Sequence, residues 1–165
     1  PNNGRRVAKA IADRLARLDP ANAPGYAARY ADFDERLAAA ERAWDALMAP
    51  FEGTKVVTYH NSWPNFAERF GLEVVGYVEP RPGIPPSPKH TIELIGLMKR
   101  QNVRILLVEP YFDLRTPNAV GREAGAKVLV LSPSVGGKKQ ITDYLQLFDY
   151  DLRLLVDAIK ASRAE

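Results

Sequence analysis

Lys55-Val56-Val57-Thr58-Tyr59-His60-Asn61-Ser62-Trp63-Pro64 is the stretch on which the reading of this chain turns. Residues 55–59 form a short run rich in β-branched and aromatic side chains, with no apolar/polar alternation. That is the pattern of a strand buried on both faces of a sheet. Runs of the same kind recur at 72–78, 105–108 and 127–131, and helical patterns fall between or after them at about 64–70, 88–101, 118–124 and 141–161. Such an alternation predicts an α/β domain, a four-stranded and mainly parallel sheet flanked by helices.

Upstream of the first strand the pattern is helical throughout. Val7, Ala10, Ile11, Leu15 and Leu18 recur at helical spacing until Asp19-Pro20 breaks the run. A second stripe follows, with Tyr26, Tyr30, Phe33, Leu37, Trp44 and Leu47 or Met48 on one face and charged residues opposite. From Pro24 to Met48 it predicts a helix of about 37 Å at roughly 1.5 Å per residue. A helix of that length braces a whole molecule. Its aromatic stripe reads as core packing, and exposure of Tyr26, Phe33 and Trp44 would instead favour a docking surface.

Composition removes several function classes. Twenty-three Lys and Arg against twenty Asp and Glu leave a net charge of +3, scattered along helix faces, which gives no basis for a nucleic-acid partner. No apolar run reaches the roughly 20 residues that span a bilayer. With no cysteine, neither disulfides nor thiolate metal sites are available. The chain opens Pro1-Asn2-Asn3-Gly4-Arg5-Arg6 without the apolar stretch of a signal peptide, and it begins inside a helical pattern, as a truncated piece of a longer protein would.

Chemistry concentrates at the strand ends, the edge where open α/β sheets bind ligands. These ends offer His60-Asn61-Ser62, Glu79, Glu109-Pro110-Tyr111 and Ser132-Pro133-Ser134. A neutral imidazole and a carboxylate are ligands that zinc accepts. Local chemistry alone leaves His60 open to a structural role, a metal role, or an enzyme's acid/base role with Glu109 as partner. Glu109 can equally cap a loop. A nucleotide-binding enzyme would want a glycine-rich turn after the first strand, where Asn61-Ser62-Trp63-Pro64 stands instead. The other histidine, His90, falls in the first turn of a helix entered through Ser87-Pro88, an exposed place with no assigned role. Pro80-Arg81-Pro82-Gly83-Ile84-Pro85-Pro86-Ser87-Pro88 reads as a stiff connector rather than a domain boundary. Ser134-Val135-Gly136-Gly137-Lys138-Lys139 matches neither phosphate-loop spacing and reads as a flexible loop. No G-x-S-x-G elbow occurs.

Taken in order, these segments resemble the C-terminal half of the substrate-binding proteins of zinc/manganese ABC transporters, the cluster A-I receptors. The similar features are Leu18-Asp19-Pro20, the long helix ending near Pro50, and the run from Val56 to Leu72 that contains His60-Asn61-Ser62-Trp63-Pro64. Pro86-Ser87-Pro88, Glu109-Pro110, Gly125-Ala126-Lys127-Val128 and Tyr144-Leu145 continue it. The resemblance implies the end of an N-terminal lobe at 1–21, a long linking helix at 22–50, and a C-terminal α/β metal-binding lobe at 51–165. It implies an extracytoplasmic receptor, periplasmic or membrane-anchored, that captures a divalent metal and hands it to a membrane permease.

The same resemblance makes His60 a metal ligand and expects two further histidines from an N-terminal lobe that this chain lacks. It also expects an aspartate after the last strand. Here that position is Ser132, a far weaker ligand, so Glu109, Ser132, water or a group from the missing lobe would complete the set. Histidine at position 60 favours zinc over manganese, since imidazole suits the softer ion. With one strong ligand, the chain alone is expected to bind zinc weakly. The competing expectation is an α/β enzyme domain with His60 as acid/base.

Overall fold

The computed structural model describes residues 1–81 and 83–164; Pro82 of the proline-rich connector lies outside them. Two compact units are present, Pro1–Ala46 and Leu47–Glu165.

In the first unit, α1 spans Asn2–Leu18 and stops where expected. Asp19 leaves the helical region while its N–H still reaches the Leu15 carbonyl at 2.8 Å. Its carboxylate accepts from the Asn22 amide and the Tyr26 hydroxyl, both at 2.8 Å, which holds the Asp19 carboxyl below its ordinary range and fixes the turn. The long helix α2, Ala23–Met48, follows. Arg5 of α1 reaches Asp34 at 2.5 Å and Glu41 at 2.6 Å on α2. In α1 the helical period is right, but its apolar stripe is not core: Val7, Ile11, Leu15 and Leu18 are exposed. On α2, Leu37 and Trp44 are buried and Tyr26 and Phe33 half-buried, which removes the exposed aromatic docking face.

The second unit carries a four-stranded sheet of β1 (Thr54–Thr58), β2 (Leu72–Tyr77), β3 (Ile105–Val108) and β4 (Lys127–Val130), in the order β2-β1-β3-β4 with every pair parallel. Between and after them run α3 (Pro64–Arg69), α4 (Pro88–Arg100), α5 (Arg115–Ala124) and α6 (Tyr144–Ala164). Parallel strands need crossovers, and helical crossovers bury the sheet; Val56, Val57, Ile105, Leu106, Leu107 and Val108 are all inaccessible to within 1%. Each such Leu or Val contributes about 1.5–3 kcal/mol by leaving water. Leu94 and Met98 of α4 and Val120 of α5 join this core, while Leu152, Leu155, Val156 and Ile159 bury one stripe of α6.

Helix ends follow the capping chemistry with two shifts. Ser87 caps α4 as expected, its hydroxyl accepting from the His90 N–H at 3.2 Å. α5 begins at Arg115 rather than 118, because Asp113 accepts the Arg115 N–H at 2.8 Å and Pro117 sits in the first turn, where a missing N–H costs nothing. α6 begins at Tyr144 rather than 141, since Asp143 accepts the Gln146 N–H at 2.9 Å while the Gln146 side chain returns to Thr142.

One irregularity positions the site. The β1/β2 register steps from Val56↔Val74 to Val57↔Gly76, so β2 carries one extra residue, a β-bulge. Pairing continues beyond both strands in the shifted register, with Val78 N–H donating to Thr58 O at 3.0 Å and Glu79 N–H to Tyr59 O at 2.8 Å. Glu79 thereby comes level with His60.

Candidate metal centre

The order β2-β1-β3-β4 reverses direction between β1 and β3, so the switch point of the sheet lies between the strand ends that carry His60 and Glu109. His60 is buried there, 6% exposed. The Tyr59 ring stands edge-on to its imidazole with centroids 4.8 Å apart, and Phe112 packs on it at 4.6 Å. Thr58 donates its hydroxyl to the His60 carbonyl, which holds the backbone at the strand exit.

Hydrogen bonding selects the tautomer. His60 Nδ1 lies 2.8 Å from the carbonyl oxygen of Glu79, and a carbonyl can only accept. In the neutral ring Nδ1 therefore carries the proton and Nε2 keeps its lone pair, the form in which an imidazole binds metal. Nε2 lies 3.7 Å from Glu79 Oε2. Sequence reasoning placed Glu79 at this edge without giving it a role, because linear order does not show which strand-end group stands level with His60. The Glu79 carboxylate is buried beside the Tyr59 phenol. Burial, with Glu79 next, pushes the Tyr59 phenol up to about 12, so it remains a donor.

Glu109 is wholly buried at the end of β3, and neither of its carboxylate oxygens has a hydrogen-bond partner among the described residues. A buried acceptor left in that state costs about 1–3 kcal/mol, more when charged. Its negative charge adds to the burial that raises the Tyr111 phenol. Ser132 ends β4, 2% exposed, with its N–H donating to Asp151 Oδ1 on α6 at 3.0 Å. The loop that follows folds back on it: a side chain at Gly137 would meet Ser132 Oγ at 2.9 Å, and Gly136 N–H donates to Ile141 O at 3.0 Å. Within residues 134–139, Gly137 N–H also donates to Ser134 O at 3.3 Å, which makes a turn. His90 differs from expectation. It is half-buried, with Nε2 2.9 Å from the Tyr77 carbonyl, fastening α4 to the edge strand.

Among the described residues no group of three or more His, Asp or Glu side chains gathers into a metal cage. What the edge presents is a tautomer-selected imidazole facing a carboxylate, at the switch point of a parallel α/β domain. That arrangement is a ligand-receiving edge of a parallel α/β domain. The chain belongs to the ZnuA family, the periplasmic zinc-uptake complex component A, whose family model matches residues 1–158. It is 25% identical over 160 residues to the high-affinity zinc uptake system protein ZnuA of Brucella abortus, covering 97% of this chain and 47% of that protein. A crystal structure of ZnuA superposes with a TM-score of 0.82 at 26% identity, over 96% of this chain and 57% of that one. FpvC of Pseudomonas aeruginosa, a substrate-binding protein in complex with Mn2+, superposes with a TM-score of 0.72 at 30% identity, over 92% and 57%. The chain spans about half the length of the curated relatives it matches. The family is one of metal-uptake receptors, not enzymes, which sets aside His60 as an acid/base catalyst.

Proposed function

We propose that this chain is the metal-holding part of an extracytoplasmic receptor, periplasmic or membrane-anchored, that captures a divalent transition metal and delivers it to the permease of an ABC transporter. Residues 1–21 are then the end of an N-terminal lobe, 22–50 the linking helix and 51–165 the metal-binding lobe. The observation that carries the reading is His60, whose Nδ1 is spent on Glu79 O at 2.8 Å so that Nε2 is left basic at the sheet's switch point. Family membership supports zinc, and the imidazole favours zinc over manganese.

Glu109, with its unmet carboxylate, and Ser132 stand at the two neighbouring strand ends as further candidate donors. The remaining ligands come from an N-terminal lobe outside this chain. A long linking helix limits hinge closure, so release to the permease proceeds by a small shift of one lobe that separates His60 from its opposite ligands. Protons compete with the metal for Nε2, so binding weakens in acid.

Zinc titrated into the chain by calorimetry tests this. Weak binding that disappears in His60→Ala is the expected result. A nanomolar site in this chain by itself would overturn the division of ligands between lobes, and binding indifferent to His60 would overturn the site.

A further inference from the structure

We propose that Glu79 is the metal's carboxylate ligand, taking the part of the aspartate that the last strand of this chain lacks. The inference rests on the reading of His60 as a ligand and adds its partner.

Three observations converge. With Nδ1 committed as donor to the Glu79 carbonyl, the Nε2 lone pair faces the Glu79 carboxylate, two electron-rich groups opposed in a buried place. A cation between them removes that conflict. The 3.7 Å from Nε2 to Oε2 exceeds the roughly 3.2 Å limit of a hydrogen bond. The same separation suits a shared ion: with bonds of about 2.0–2.1 Å, N and O ligands lie about 3.4 Å apart at the tetrahedral angle and about 3.7 Å apart at roughly 125°.

The carboxylate is also aimed. The Tyr59 phenol lies beside it at the end of the neighbouring strand, the place an outer-shell partner of a metal-bound carboxylate takes. Its alignment with His60 comes from the bulge, which shifts β2 by one residue at Val56/Val57. The alternatives stand at other strand ends. Ser132 Oγ lies against Gly137, and Glu109 belongs to the next strand end, beside Tyr59 and Tyr111.

The test is zinc titration of the full chain followed by NMR of the imidazole nitrogens and glutamate carboxyl carbons. Only two histidines contribute imidazole signals, so the ligand nitrogen is read directly. Zinc should move His60 Nε2 and the Glu79 carboxyl carbon together and leave His90 in place. In Glu79→Gln, which keeps size and removes the charge, the zinc dissociation constant should rise about tenfold or more, at least the loss that removing an outer partner brings. Glu79→Asp should recover part of it.

If His60 Nε2 responds to zinc but the Glu79 carbon does not, Glu79 is overturned as a ligand and His60 stands. An affinity lost in Glu109→Gln and kept in Glu79→Gln likewise overturns it, assigning the carboxylate to Glu109. Zinc that leaves His60 Nε2 unmoved overturns both readings. The wild-type carbon signal decides the matter even if a variant fails to fold.

Discussion

The backbone N–H of Ser132 donates to Oδ1 of Asp151 at 3.0 Å, tying the end of β4 to α6 through a buried carboxylate. Burial pushes the Asp151 carboxyl up to about 7 from an ordinary 3.8, against the lowering effects of the Ser132 N–H and the charge of Lys138. The consequence is a pH-dependent stability. Between those values the folded chain holds a proton that the unfolded chain has released, so stability is greatest at the acid end of the window and falls as pH rises through 7.

Asp151→Asn keeps the acceptor for Ser132 and removes the charge. It should flatten this slope and raise metal-free stability at about pH 8 by on the order of 3 kcal/mol. Urea unfolding at about pH 5 and about pH 8 measures it. Parallel pH profiles for the two proteins would refute the assignment.

Glu109→Gln should stabilise the metal-free chain. Neither carboxylate oxygen has a hydrogen-bond partner among the described residues, so removing the buried charge relieves about 1–3 kcal/mol. A lower urea midpoint than wild type would show that the carboxylate is satisfied in solution.

Gly121→Ala should destabilise the fold by about 1–3 kcal/mol. A methyl there would stand 2.8 Å from Val128 Cγ2 and 2.9 Å from the Ala126 carbonyl, and the backbone carbonyl cannot swing aside. Thermal unfolding against Gly83→Ala, a glycine with nothing within 4 Å of its would-be methyl but at φ +77, separates crowding from backbone strain.

Ser87→Ala should cost about 1 kcal/mol and fray the start of α4, since the serine hydroxyl is the acceptor for the His90 N–H. Hydrogen exchange at His90 and Thr91 reads the fraying directly. Unchanged protection there would mean that Pro88 and the Thr91 N–H bond to Ser87 O suffice to start the helix.

Much of the fold was legible because burial leaves a local mark. The unalternating run through Val56 and Val57, repeated at Ile105–Val108, requires strands covered on both faces, and parallel pairing with helical crossovers follows from that. Caps made by one side chain, as at Ser87, were also readable. The start of α5 was not, because Asp113 acts through the geometry of its turn, whereas α6 starts on a capping box, Asp143 with Gln146, that the helical period alone does not mark. The α1 stripe reported its helix correctly and said nothing of its exposure, since helical period does not show what covers a face.

For the site, residue type and position after β1 made His60 conspicuous, an imidazole at the C-terminal edge of a parallel sheet, while its metal role came only from the family resemblance. Its partner could not be chosen that way. Glu79, Glu109 and Ser132 all follow strands, and linear order does not say which lies level with the imidazole. Register does. One extra residue in β2 moves Glu79 opposite His60, and because side chains alternate along a strand, a one-residue shift changes which group faces the site. The order of residues determined the sheet and its histidine; the pairing of two strands, a property of no single segment, decided which carboxylate that histidine meets.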